Sequence, residues 1–121
     1  VAMAGGTTRL PKRLPLNIAM EMALTGDTID AARAYQHGLV NILCEPDGAI
    51  EAARELAERI NANAPLAVRA TRKAVLDGAL VSDDDGIRIA VELFGPVAVS
   101  EDAKEGPLAF VEKRPPEWKA R

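Results

Sequence analysis

The residues able to do chemistry in this 121-residue sequence are few and scattered. Gly5-Gly6 stands ahead of Thr7-Thr8, and a glycine pair before a helix can present backbone N–H groups to a phosphate. The pair alone fits neither the GxxxxGK[ST] nor the GxGxxG spacing, so close backbone packing at a helix start is the simpler reading. His37 precedes a helix-ending Gly38. There it suits a charge at a helix C-terminus or a plain surface residue, and no Ser or Cys lies near it in sequence. Asp83-Asp84-Asp85 is a poor cation site, because consecutive carboxylates point in different directions and the EF-hand pattern needs alternating ligands plus a distal Glu. A solvated helix N-terminus suits them better. Cys44 is the only cysteine, which excludes an intrachain disulfide, and with one histidine it cannot build a zinc site. Its place in an apolar run predicts a buried, inert thiol and a reducing, cytoplasmic setting. No metal is expected.

Basic residues gather at Arg9/Lys12/Arg13, at Arg69/Arg72/Lys73 and at Lys113/Arg114/Lys119/Arg121. Each group is either a solvated face or a partner for a polyanion such as a nucleotide-bearing cofactor. The formal charge of −3 and the pI near 5.2 argue against nucleic acid. No apolar run approaches the ~20 residues that span a bilayer, so no membrane partner is expected.

The elements that must hold these residues read as helices. Hydrophobic residues make up 48% of the chain but aromatics only 3%, so the core rests on Ala, Leu, Val and Ile. Thr7 or Thr8 can cap a first short helix, and Pro15 restarts the chain into a helix that Gly26 terminates. Asp30 is placed to cap 31–37. Residues 39–43 are the only stretch with β character. Ala49–Asn61 shows a clean apolar face of Ile50, Ala53, Ala57 and Ile60. Pro65 suits the first position of a helix over 65–79. A helix over 84–94 should kink or break at Gly95-Pro96, and a last one over 101–113, capped by Ser100, should be interrupted or tightened near Gly106-Pro107. The tail 117–121 should be extended or irregular. The expectation is an all-α chain of six or seven helices with at most one short strand.

Five stretches in register resemble the enoyl-CoA hydratase/isomerase (crotonase) family. Ala4-Gly5-Gly6-Thr7-Thr8-Arg9-Leu10-Pro11 is similar to its AGGTxRLP segment, and Ala19-Met20-Glu21-Met22-Ala23-Leu24-Thr25-Gly26 to AMEMxLTG. Residues 31–41 follow A-x-x-A-x-x-x-GLVN. Glu101-Asp102-Ala103-Lys104-Glu105-Gly106 resembles EDAxEG, and Ala109-Phe110-Val111-Glu112-Lys113-Arg114 resembles AFxEKR. The resemblance implies the C-terminal helical part of a crotonase-like α/β spiral fold. Residues 1–30 would be the tail end of the core, and 31–121 a helical region for assembly and for covering CoA. It implies reversible addition of water to 2-enoyl-CoA thioesters. Acyl-CoA would be the substrate and no cofactor is needed. Two backbone N–H groups and two glutamates of the family's chemistry precede the AGGT segment. Glu21, Glu92 and Glu112 match neither glutamate. A chain opening at Val1 is therefore expected to be an inactive fragment whose partners include the missing N-terminal core. Two contacts carry over by position: a backbone water contact at Met3, and CoA contacts at Phe110 and Lys113. Relatives assemble as trimers, paired into hexamers, so a homotrimer or hexamer is expected. The competing readings are a non-catalytic oligomerisation module and a fragment of a family isomerase or thioester hydrolase.

Overall fold

A computed structural model describes residues 5–121. Among these residues the chain is helical: α1 (Gly6–Arg9) runs into a single 3-10 turn at Leu10–Lys12, followed by α2 (Leu16–Thr25), α3 (Ala31–Gln36), α4 (Ala49–Asn61), α5 (Pro65–Gly78), α6 (Asp83–Ala98) and α7 (Glu101–Glu112). The chain forms two compact units, 1–52 and 53–121, and α4 runs across the boundary.

In the first unit, Leu14, Ile18 and Ala19 are buried, and Leu10, Met22 and Leu39 pack against them. Pro15, in an extended conformation, opens α2, and Gly26 closes it with φ of 79° while its N–H returns to Met22 O. Glycine tolerates that left-handed backbone without a Cβ clash. Asp30 caps α3 by accepting the Arg33 N–H at 2.7 Å. The first helix differs from expectation: Gly5, not Thr7 or Thr8, occupies its N-cap, and Thr8 Oγ1 instead donates back to Gly5 O at 3.3 Å. Residues 39–43 form no strand, since no neighbouring strand among the described residues offers a ladder to their backbone. The same irregular run leaves Cys44 exposed rather than buried.

In the second unit, α5 and α6 form a helical hairpin whose crossing brings Gly78 and Gly86 together. Ser82 caps α6 through the Asp85 N–H, and Asp83, Asp84 and Asp85 fill its first turn, where the helix dipole favours negative charge. Ser100 caps α7 in the same way through the Ala103 N–H.

Both α6 and α7 continue through a proline, so the helix neither breaks at Gly95-Pro96 nor is interrupted near Gly106-Pro107. A proline inside a helix removes one N–H, and its ring crowds the residue before it, chiefly at the Cβ of that residue. Here glycine precedes each proline, as Gly95-Pro96 and Gly106-Pro107, so the Cβ part of that crowding is absent. This gives a prediction of opposite outcomes for two glycines. Gly86→Ala places a methyl in ordinary contact, 3.8 Å from Gly78 O, and gains about 1 kcal/mol of helix propensity. Gly95→Ala meets no atom beyond its chain neighbours, yet its new Cβ faces the Pro96 ring. Thermal unfolding should show Gly86→Ala raising the midpoint and Gly95→Ala failing to do so. Equal stabilisation by both would refute the steric account.

Candidate functional site

The carboxyl end of α7 gathers the groups with the most chemical potential. The helix turns Asp102, Ala103, Gly106 and Ala109 inward, with Asp102 and Ala109 each only 2% exposed. That spacing of three and four residues sends Leu108, Phe110 and Val111 outward. Phe110 is 85% exposed. Lys113 follows as the C-cap in the left-handed region, φ 54° and ψ 39°, with its N–H directed to Ala109 O and Phe110 O. The Arg114 N–H also returns to Ala109 O, at 3.1 Å. This is the left-handed C-cap geometry, uncommon for a lysine and held by the N–H groups of Lys113 and Arg114 turning back onto the last carbonyls of α7.

Arg114 is held beside that cap by its side chain as well. Its guanidinium reaches both carboxylate oxygens of Glu105, at 2.5 and 3.0 Å, and Glu112 at 2.6 Å. Glu105 also accepts the Glu117 N–H at 2.7 Å. The Arg114 hydrogen bonds, with the Glu117 N–H second, hold the Glu105 carboxyl down at about 2. The same pairing raises Arg114 above its ordinary range, with Glu105 the largest cause and Glu112 next.

Of the four cations from Lys113 to Arg121, three have an acidic partner within 4.0 Å. Arg114 is clamped, Arg121 pairs with Glu101 at 3.0 Å, and Lys119 lies 4.0 Å from Glu117. Lys113 makes no ion pair among the described residues. An exposed aromatic ring and an uncommitted ammonium group thus share one helix turn. A flat heteroaromatic could lie on the first, and a phosphate could meet the second.

The remaining candidates do not assemble into a reactive site. Met3 lies outside the described residues. A Cβ on Gly5 would meet only the guanidinium end of Arg9, a flexible exposed side chain that can move aside. His37 is the half-buried C-cap of α3, its N–H bonded to Arg33 O at 3.2 Å. Glu21 is gripped by Arg33 at 3.0 and 2.8 Å, and this lowers its pKa, with the hydrogen bonds from Arg33 the largest cause. A carboxylate held ionised in this way is a poor proton donor. Asp85 pairs with Arg88 and exchanges hydrogen bonds with Ser82. No cluster of three metal-ligating side chains occurs among the described residues. No helix among them is long and apolar enough to cross a membrane. Lys73 of the middle basic group is taken by Asp77 at 2.6 Å, while Arg69 borders a shallow apolar groove of about 260 Å³ between α5 and α6.

Sequence reasoning missed Asp102, Glu105 and Trp118. The tail is irregular, as expected, but it is fastened. The available signal was a pair of carboxylates three residues apart on the inward face of a helix, a place where charge needs partners.

The whole chain, residues 1–121, matches the family model described as enoyl-CoA hydratase/isomerase. A carnitinyl-CoA dehydratase of Proteus mirabilis (strain HI4320) is 42% identical over 122 residues, covering 98% of this chain and 47% of that protein. An (E)-benzylidenesuccinyl-CoA hydratase of Thauera aromatica is 40% identical, covering 98% of this chain and 46% of its own length. Among solved structures, an enoyl-CoA hydratase from Mycobacterium marinum superposes with a TM-score of 0.93 at 49% identity, over all of this chain and 48% of its own. An enoyl-CoA hydratase from Bacillus anthracis gives 0.93 at 36% identity, over 98% of this chain and 46% of its own. The chain spans about half the length of the curated relatives it matches.

Proposed function

The chain belongs to the enoyl-CoA hydratase/isomerase family, and on that premise we propose that it supplies the CoA-facing end and the assembly helices of an enoyl-CoA hydratase. The reaction is the reversible addition of water to a 2-enoyl-CoA thioester. The observation that carries this reading is the pairing of exposed Phe110 with uncommitted Lys113 on one turn at the end of α7. The ring receives the adenine face and the ammonium a phosphate of acyl-CoA, the substrate; no cofactor takes part. The relatives support hydration over isomerisation or thioester hydrolysis. Their names describe hydratases and a dehydratase of CoA thioesters, one bond-making step in its two directions.

The reading assigns no proton transfer to this chain. Its two most perturbed carboxylates, Glu21 and Glu105, are shifted down and tied to arginines. A general acid for this chemistry needs the opposite shift. The likeness in residues 1–30 fits the edge of a catalytic core, and residues 31–121 fit the assembly and CoA-covering region. The setting proposed is cytoplasmic.

A CoA titration of the intact protein tests the site. Lys113→Ala removes one exposed charge contact to phosphate and should raise the Kd for CoA about tenfold. Phe110→Ala should weaken binding to a similar degree through lost stacking. An unchanged Kd in both variants would reduce the pair to surface residues.

A second reading, assembly alone, draws on exposed apolar side chains along the hairpin. Val75, Leu80, Ile87 and Val91 are each more than 60% exposed in the isolated chain. Covering them in a homotrimer, itself paired into a hexamer, suits their chemistry. Light scattering decides this: a monomeric mass for the intact protein would remove it.

A further inference from the structure

The tail after α7 doubles back along the helix it leaves. Arg114 is clamped to Glu105, and the Glu117 N–H follows onto the same carboxylate. Next, the Trp118 ring lies over Gly106, where an added Cβ would sit 3.5 Å from it. The indole Nε1–H donates to Ala62 O at 2.9 Å, in the turn between α4 and α5. Then the N–H groups of Lys119 and Ala120 reach buried Asp102 at 2.6 and 3.1 Å. Finally the Glu101 N–H donates to Arg121 O at 2.7 Å. Residues 114–121 thus step from the carboxyl end of α7 to its amino end, meeting a partner at nearly every position.

We propose that residues 114–121 act as a strap that fixes the α7 end turn, so that Trp118 and Asp102 are positioning residues for the nucleotide end of a CoA thioester. This rests on the reading that Phe110 and Lys113 meet CoA. The link is Lys113 itself. Its left-handed backbone is costly for a side chain with a Cβ, and such a conformation persists only where its surroundings over-determine it. The clamp begins at the next residue. A released tail lets residue 113 relax to an ordinary backbone basin, which redirects its side chain relative to the end of α7. Trp118 touches neither group. It acts by anchoring the strap to Ala62 and by seating on Gly106, a residue without a side chain to obstruct the ring.

The test compares two ligands in the intact protein: CoA, and an acyl-pantetheine lacking the nucleotide. Trp118→Ala should weaken CoA binding about tenfold and leave pantetheine binding unchanged, because misplacing one contact group costs only the ligand that uses it. Trp118→Phe keeps the ring over Gly106 and loses the bond to Ala62, so it should restore most of the CoA affinity. Asp102→Asn, close in shape, guards against a variant that fails to fold and should weaken CoA selectively. Equal weakening of both ligands would mean the tail only stabilises the fold, and unchanged CoA binding would mean it positions nothing; either overturns the proposal. Lys113→Ala separates the two levels. If it leaves CoA binding intact, the site reading itself falls. If it weakens CoA while Trp118→Ala does not, the strap alone falls.

Discussion

Residues 1–121 by themselves, we propose, hydrate no 2-enoyl-CoA at a measurable rate. Adding water to the double bond of an unsaturated thioester drives negative charge onto the carbonyl oxygen. Each aimed N–H donor at that oxygen contributes about 100- to 1,000-fold, and positioned acid/base groups contribute about 100-fold or more. A chain without both runs slower by on the order of 10,000-fold or more. No glutamate here matches the two that the family resemblance requires. The carboxylates that the structure perturbs are perturbed the wrong way, Glu21 by Arg33 and Glu105 by Arg114. The assay is absorbance loss of a short-chain 2-enoyl-CoA with a mass-verified sample. Steady turnover proportional to protein would place an acid/base pair within these residues and overturn the division of labour proposed above.

Asp102→Ala is expected to release the tail and to cost about 2–3 kcal/mol of stability. Asp102 is 2% exposed and accepts N–H groups from Lys119 and Ala120. Stranding a buried N–H costs about 1–3 kcal/mol, but this tail can escape by swinging into water. The loss is therefore capped near the worth of the docked tail. Urea unfolding should show a lower midpoint, and trypsin should cut at Lys119 faster than in the parent. An unchanged midpoint with unchanged cleavage would show that the carboxylate holds nothing. Acid should loosen the same strap. The folded Glu105 value, about 2, lies below its ordinary 4.5, so its stabilising share is complete above about 4.5. That share drains as pH falls toward about 2. Tail release, followed by tryptophan emission, should fall in that window, and its pH dependence should vanish in Glu105→Gln.

Much of the helical architecture was legible because its signals are local. Gly26, Asp30, Pro65 and Ser100 mark helix ends by backbone geometry and side-chain hydrogen bonds that need no distant partner. The break allowed for at Gly95-Pro96 and the interruption allowed for near Gly106-Pro107 did not occur, because the glycine before each proline removes part of its crowding. Residues 39–43 have β character in the sequence and yet form no strand. Residue type gives β character, but a strand exists only when a second one supplies its hydrogen bonds. Cys44 followed that run to the surface.

Phe110 and Lys113 were named from sequence, but their standing as a site depended on neighbours. Nothing in the order of Lys113, Arg114, Lys119 and Arg121 says which cation is free. That followed from Arg114 finding Glu105 nine residues back, and from Arg121 finding Glu101. The sequence alone determined the family and the helical class. Ordered motifs and local capping preferences are written residue by residue. Tertiary structure alone decided which charge is available and what holds the tail. Ion pairs and hydrogen bonds between residues distant in sequence, such as Trp118 with Ala62 or Asp102 with Lys119, exist only once folding has closed the loop between them.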